Sequence, residues 1–385
     1  MRPIETLHRG FDKLDIAIMG ALSPNDIEIL EAARVESEKS HHDTLVEIGP
    51  GRVAMHVAES GLRGGYAFRC DTGPLGELWF FKRGLSRNDW NLRVSVRALA
   101  LATRGLKEVH AHIIETLKAL GAGDHEMSIG RVDYAIDYLM PEAFLLDPAH
   151  FISHSRSSRA EHASPPATSS ESAEGELLVQ WSGRIVKAVT IGKMPGQQLI
   201  VYDKRREIIA HGKNEWLQIW GVRQEELDAH SVFRVELRSG KKNLKDWNTR
   251  SFAQLESKAG DMFADMMQDM RHVFPNEYEK NPSRWPHSLL WRQAVQDVQE
   301  GLAENFDGSL RGRIITGSRD QIYLQRKKQI LDCVPGALMA RWPTVAGGYA
   351  KRGDFLRELG KEMDHADKDE LAKKLQKAKD RLHFI

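Results

Sequence analysis

The first 240 residues break into short runs that alternate apolar and polar side chains, and this pattern constrains the fold more than any other feature of the chain. TLVEIG, RVAMHV, GYAFRC, ELWFFK and LRVSVR follow one another between residues 44 and 97. Glycines and polar turns separate them, a spacing that predicts antiparallel hairpins. Further alternating runs lie at KLDIAIMG (13–20), GRVDYAIDY (130–138), 177–192, 198–202 and VFRVELR (232–238). Helices interrupt the strands. Ser23-Pro24-Asn25-Asp26 reads as a helix start, with Ser23 as N-cap and Pro24 in the first turn. Over 98–120, Leu106, Val109, Ile113, Leu117 and Leu120 recur on one helical face.

From about residue 250 the pattern turns helical, in SFAQLESKAGDMFADMMQDMRHVF, LLWRQAVQDVQEGLAENF and a charged amphipathic tail over 351–385. The expected fold is therefore α+β: a largely antiparallel sheet domain over 1–250, followed by a helical domain over 251–385. Residues 155–176 are rich in Ser, Ala and Pro without periodicity and read as a mobile loop inside the first domain. Leu14-Asp15-Ile16-Ala17-Ile18 echoes Val132-Asp133-Tyr134-Ala135-Ile136, and each run leads into a helical segment and further strands. The echo suggests two similar αβ halves sharing one sheet, with Asp15 and Asp133 at equivalent positions on neighbouring strands.

Composition bounds the function. The 385 residues carry two cysteines, too few for a disulfide framework or a cysteine-rich zinc site. No signal peptide is expected from MRPIETLHRGFD, and no apolar run approaches the length of a membrane helix. A reducing cytoplasm is the expected compartment. The net charge is only +1, yet the cations are clustered. Residues 82–97 hold five Lys/Arg against one acid, 184–213 seven against two, 234–250 six against two and 311–328 six against one. A single patch of this kind is commonly a solvated face; four in one near-neutral chain point to an anionic polymer.

Three stretches could carry chemistry. In Leu199-Ile200-Val201-Tyr202-Asp203-Lys204-Arg205-Arg206-Glu207 a tyrosine ends a strand, Asp203 is placed to cap the next helix, and cations follow at once. A phosphodiester would be held there, and neighbouring cations are expected to lower the phenol's pKa and make Tyr202 a nucleophile. A packed ring with a wet hydroxyl fits the same pattern. In Arg131-Val132-Asp133-Tyr134-Ala135-Ile136-Asp137, alternation puts Asp133 and Asp137 on one face about 13 Å apart, at ~3.3 Å per residue. They cannot share one ion, so Asp133 needs a partner such as Asp15, or else an arginine. In Val232-Phe233-Arg234-Val235-Glu236-Leu237-Arg238, the apolar residues face the core. The charged ones could bind phosphate and orient a metal-bound carboxylate, or form a cross-strand ion-pair ladder. Val109-His110-Ala111-His112-Ile113 has a His-hydrophobe-His form, but its flanks form helix, where residues two apart do not share a face.

GFDKLDIAI, IGRVDYAID, TIGK…LIVYDKRREI and FRVELR, in this order over residues 11–240, resemble the replication initiation factor family. Its members are rolling-circle initiators of plasmids, conjugative elements and filamentous phages. The resemblance implies a sheet-based DNA nicking-closing enzyme that uses Mg²⁺ or Mn²⁺ and one tyrosine to cut a strand at a replication origin, leaving a 5′-phosphotyrosine. Tyr202 matches the nucleophile. Asp133, Glu207 and Glu236, with Asp15 from the echo, match the acidic metal positions. Lys193, Lys204, Arg205, Arg234 and Arg238 would hold DNA phosphates, which positions DNA without reading sequence. Host replication proteins such as a helicase, and a second copy of the chain, are further candidate partners. Two other readings are a non-catalytic DNA-binding initiator and an accessory protein of a mobile element.

Overall fold

In the computed structural model, the described residues are 4–153 (without 124, 125, 142 and 143), 177–307 (without 214), isolated positions between 324 and 361, and 367–384 without 382. The expected loop at 155–176, and the basic stretch 311–328 apart from Leu324, Lys327 and Lys328, lie outside them.

The chain opens on a long strand, β1 (Glu5–Ile18), and helix α1 (Pro24–Ser40). A meander follows: β2 (Thr44–Ile48), β3 (Val53–Val57), β4 (Phe68–Asp71), β5 (Glu77–Phe81) and β6 (Leu92–Val96). Helix α2 (Ala98–Ala119) leads to β7 (Met127–Met140) and the short β8 (Phe151–Ser153). Then come β9 (Leu177–Ser182), β10 (Ile185–Gly192), β11 (Gln197–Asp203) and three short helices, α3 (Lys204–His211), α4 (Glu215–Trp220) and α5 (Gln224–Ala229). After β12 (Ser231–Gly240) run α6 (Lys241–Asp246), α7 (Phe252–Asp269), β13 (Met270–His272), α8 (Leu289–Asp307) and α9 (Lys368–Arg381).

Eleven strands form one antiparallel sheet in the order β2-β3-β4-β5-β6-β1-β7-β12-β11-β10-β9, and β13 pairs with β8 apart from it. On each side of the β1–β7 pair the chain leaves a central strand, reaches the far edge and meanders back to it. The sides differ in their helices. α1 follows β1, whereas among the described residues only a turn of 3-10 helix (Pro148–His150) and β8 follow β7, so the helical segment expected after β7 is not seen there.

Local signals act as expected at several points. The Ser23 hydroxyl accepts from the Asp26 amide, with Pro24 at the first helical position. The Asp26 carboxylate in turn accepts from the Gly49 amide at 2.8 Å, fixing α1 to the β2–β3 turn. Gly49 has φ 73, and a Cβ there would lie 2.5 Å from the Leu120 Cα, so only glycine lets the turn meet the end of α2. The face of α2 read from the sequence is buried. Gly105, at φ 72, breaks that helix, which periodicity alone did not show. His110 and His112 lie on α2, and His110 stacks on Phe252 with 3.7 Å between ring centroids.

One face of the sheet is apolar. Leu14, Ile16, Val94, Val96, Val132, Tyr134, Ile136, Val235, Leu237, Leu199 and Val201 pack there with α1, α2, α7 and α8 in a single core. Each such side chain contributes about 1.5–3 kcal/mol when fully buried. Residue 250 is therefore no break in packing. The α7 side chains Leu255, Met262, Phe263 and Met266 and the α8 side chains Leu290, Trp291 and Val298 belong to the sheet's own core. The buried Asp297 of α8 accepts from Tyr138 at 2.7 Å and from Thr6 at 2.9 Å, tying that helix to β7 and β1. Among the described residues no helix is long and apolar enough to cross a membrane.

Candidate functional site

The opposite face of the sheet is polar, and register decides which residues meet on it. Across β12 and β7, Arg238 lies opposite Asp133, Glu236 opposite Ala135 and Arg234 opposite Asp137. On the other side of β12, Tyr202 lies opposite Arg234 and Ile200 opposite Glu236. Across β1, Asp15 faces both Ser95 and Arg131, and Lys13 faces Asp133. Directly opposed residues share a face, so Asp15 and Asp133 sit on the same face of neighbouring strands, one pair apart. Irregularities in β1 add to this row. The register shifts between Thr6 and His8 and between Phe11 and Lys13. These bulges turn His8 toward Asp137 and let Asp12 reach Arg234, although strict alternation would not place both there.

At the Tyr202 end the short helices close over the face. Ile208, Trp216, Ile219, Trp220 and Leu227 of α3–α5 form a second apolar cluster with Val232. Beneath it Arg234 has no exposed surface. Its Nε donates to Asp137 at 2.6 Å and its Nη2 to the other Asp137 oxygen at 2.8 Å, while Nη1 donates to Asp12. The Trp220 indole N–H also donates to Asp137, at 2.8 Å. The guanidinium lies 4.5 Å from the Trp216 ring centroid. Burial alone would raise the Asp137 carboxyl, but the charge and hydrogen bonds of Arg234 outweigh it and hold that carboxyl below its ordinary value. His8, buried edge-on against Trp216, is lowered to about 4 chiefly by that burial.

Tyr202 stands beside this network at the end of β11, and Asp203 caps α3 by accepting from the Arg206 amide. Its hydroxyl lies 3.5 Å from the Lys204 ammonium. The phenol does not have the lowered pKa expected for it. Burial raises it well above 10, Arg234 opposes, and the carboxylates of Glu236, Asp12 and Glu207 add to the rise. Lys204 is itself buried and donates to Glu207 at 2.5 Å, and Lys213 donates to the other Glu207 oxygen at 2.5 Å. Burial pushes the Glu207 carboxyl up, but Lys204, with Lys213, overcomes this and holds it at about 2. Burial, then Arg234, lowers the Lys204 ammonium.

Farther along the face, three carboxylates lie under a layer of half-exposed cations. Asp15 accepts from Ser95 at 2.6 Å and from Arg93 at 2.9 Å. Asp133 accepts from Arg131 at 2.5–3.1 Å. Glu236 accepts from Arg238 at 2.7 Å. Burial raises the Asp133 carboxyl to about 7 despite Arg131 beside it.

The sequence-derived candidates thus divide. Tyr202, Lys204, Glu207 and Arg234 come together at one end of the polar face, while Asp15, Asp133, Glu236 and Arg238 form the row beside them. Lys193 is exposed in the β10–β11 turn, at the opposite end of β11 from Tyr202. Arg205 donates to the His230 carbonyl at 3.0 Å. Lys204 and Arg234 were expected to hold DNA phosphates. Their burial and their carboxylate partners make them parts of the protein interior instead. The reading of Arg234 and Asp133 as arginine–carboxylate pairs is the one the geometry matches. Asp12, His8, Trp216, Trp220 and Lys213 were not singled out from the sequence. Asp12 was findable, since it stands inside GFDKLDIAI.

A hard divalent cation such as Mg²⁺ or Mn²⁺ needs several oxygen ligands free to turn toward it. Asp15, Asp133, Glu207 and Glu236 are each taken up by at least one cation. Among the described residues no three His, Cys, Asp or Glu side chains converge to hold an ion. As arranged, this donor set does not fit the metal.

No family model matches the chain, and no curated protein matches it. A solved structure described as a rolling-circle replication initiator protein from Geobacillus stearothermophilus aligns with 77% of this chain and 97% of its own. The identity is 13% and the TM-score 0.41, a likeness too slight to assign either fold or function.

Proposed function

We propose that the chain is a DNA-cleaving replication initiator of the rolling-circle kind, with Tyr202 as its nucleophile. The observation that supports this is the placement of Tyr202. Its hydroxyl sits at a strand end within reach of the Lys204 ammonium, beside the buried Arg234–Asp137–Asp12 network and next to the start of a helix. In the proposed step the phenol oxygen bonds to phosphorus and the bond from phosphorus to the 3′ oxygen breaks. The phenol proton ends on the departing 3′ oxygen, so a 5′-phosphotyrosine and a free 3′-hydroxyl result. Lys204 and Arg234 supply fixed positive charge where the phenol develops negative charge.

The test is incubation of the purified chain with supercoiled DNA carrying the region next to its gene. The expected products are open circles and, by mass spectrometry, a nucleotide on the Tyr202 peptide. Tyr202→Phe keeps the ring and should bind DNA without cutting it. An adduct on another tyrosine would overturn the assignment. A second reading, a non-catalytic DNA-binding initiator, is favoured by the raised phenol pKa and the closed ion pairs. It expects Tyr202→Phe to keep full function.

A further inference from the structure

Strands β10 and β11 end unevenly. β11 stops at Asp203, and its last paired residue on the β10 side is Tyr202, opposite Ala188. β10 extends beyond this point through Lys187, Val186 and Ile185, paired with β9 up to a two-residue turn at Gly183 and Arg184. The β9–β10 ribbon therefore overhangs the sheet at the end that carries Tyr202. Two strand spacings of about 4.8 Å separate Tyr202 from Gln180 on β9, through Ala188.

The overhang has an unusual surface. Trp181 is 45% exposed and Ile185 49%. Arg184 and Lys187 are exposed as well, and among the described residues no carboxylate pairs with either. Residues 177–202 contain no Asp or Glu at all. A half-exposed indole next to cations that no described carboxylate pairs, on two strands without acids, suits a polymer with flat rings and a negative backbone. Trp181 lies opposite Val186, which packs on the main core, so its indole is on the other face of the sheet from Tyr202, and its exposure alone narrows the polymer to a single strand. Bases can stack on an indole only where they are not paired within a duplex.

We infer that the β9–β10 ribbon is a single-stranded DNA arm, with Trp181 stacking on a base and Arg184 and Lys187 meeting backbone phosphates. The arm holds the strand at the sheet end that carries Tyr202, with the indole on the opposite face. This inference rests on the reading of the chain as DNA-acting, but not on Tyr202 being the nucleophile.

The test uses the full chain carrying Tyr202→Phe, so that cleavage plays no part, and measures anisotropy of a fluorescein-labelled oligothymidylate. Trp181→Leu keeps an apolar side chain and removes the ring; its affinity should fall on the order of 5- to 150-fold, the range for one lost base stack. Trp181→Phe should recover most of that loss, which a folding defect would not allow. Arg184→Gln with Lys187→Gln should reduce the slope of log affinity against log salt by about 1.4, at ~0.7 per single-strand contact. Unchanged affinity and slope in these variants would overturn the arm. So would loss of a chain dimer in Trp181→Leu by sedimentation, which would mark β9 as an edge for a second copy. The otherwise wild-type chain, with Tyr202 intact, separates the two ideas. Ribbon variants that bind and nick normally sink the arm alone, while a Tyr202→Phe chain that still nicks sinks the nucleophile alone.

Discussion

Replacing Asp137 by leucine tests whether the Arg234 network is structural. The change leaves a guanidinium without exposed surface holding one acceptor, Asp12, where it had two, and it orphans the Trp220 indole N–H. Breaking a buried ion pair costs about 3–5 kcal/mol, because a charge remains buried without its counterion. Asp12 stays in place, so a loss near the lower end, about 3 kcal/mol, is expected. At about 2 °C per kcal/mol for a chain this long, the melting temperature should fall by about 6 °C. Arg234→Met strands the Asp137 carboxylate and should cost at least as much.

The double variant Asp137→Leu with Arg234→Met removes both charges. What remains is the unpaired indole, worth about 1–3 kcal/mol, and an Asp12 that is still partly solvated. It should therefore be more stable than either single variant when followed by urea and thermal unfolding. It should also keep the wild-type salt dependence of DNA binding, since a buried Arg234 touches no phosphate. Two results would refute the reasoning. Single-variant losses that simply add in the double variant would mean the pair is not coupled. A salt slope shallower by about 0.9 would put Arg234 on duplex DNA.

Three further outcomes follow from the same geometry. Since burial holds the phenol of Tyr202 protonated at neutral pH, the nicking rate should climb with pH without a plateau below pH 9; a plateau near neutrality would mean the phenol ionises easily. Without DNA, millimolar Mg²⁺ or Mn²⁺ should leave the melting temperature unchanged, because the carboxylates already hold cations; a concentration-dependent rise would show that they rearrange around an ion. His8 and His272 are buried with pKa lowered to about 4, so they stay neutral while the unfolded chain protonates near 6.5. Their contribution is present above pH 6.5 and lost as pH falls toward 4, at about 3 kcal/mol each. Asp133, raised to about 7, works the other way, contributing stability below pH 4 that is lost as pH rises through 7. Against wild type, His272→Leu should therefore lose less stability between pH 6.5 and 4, and Asp133→Asn should lose more; identical profiles would mean that neither group titrates differently on folding.

Much of the fold was legible because side-chain alternation reports a face directly. Tyr134 and Tyr138 alternate with Asp133 and Asp137 along β7 and are fully buried in the core. Asp133 and Asp137 were expected on one face and lie opposite Arg238 and Arg234. The caps Ser23 and Asp203 were visible because a capping side chain needs only its own local sequence. The bulges of β1 were not visible. An extra residue changes which face Asp12 and Leu7 present without leaving a mark in composition. The reach of the core into α7 and α8 was missed for a related reason. Amphipathic periodicity shows that a helix has an apolar stripe, but not whether that stripe meets another helix or the sheet.

The candidate site shows where alternation stops being sufficient. Arg131, Asp133, Arg234, Glu236 and Arg238 share one face whether that face is a DNA-binding surface or a ladder of ion pairs. What separates the two outcomes is coverage. Trp216 and Trp220 lie on α4, a six-residue helix with too few turns to announce its role. They nevertheless roof one end of the face, removing water from Arg234 and Lys204. Without water a cation must take a carboxylate from its own chain, and Asp12, Asp137 and Glu207 supply it. Where the roof ends, Arg93, Arg131 and Arg238 keep part of their surface in solvent while still covering Asp15, Asp133 and Glu236. The same residue types are thus structural under the tryptophans and accessible to an anion beyond them. On the proposed function, the cations that would meet DNA lie on the open part of the face, on the overhanging ribbon and at the half-exposed Arg206, rather than at the roofed Lys204 and Arg234.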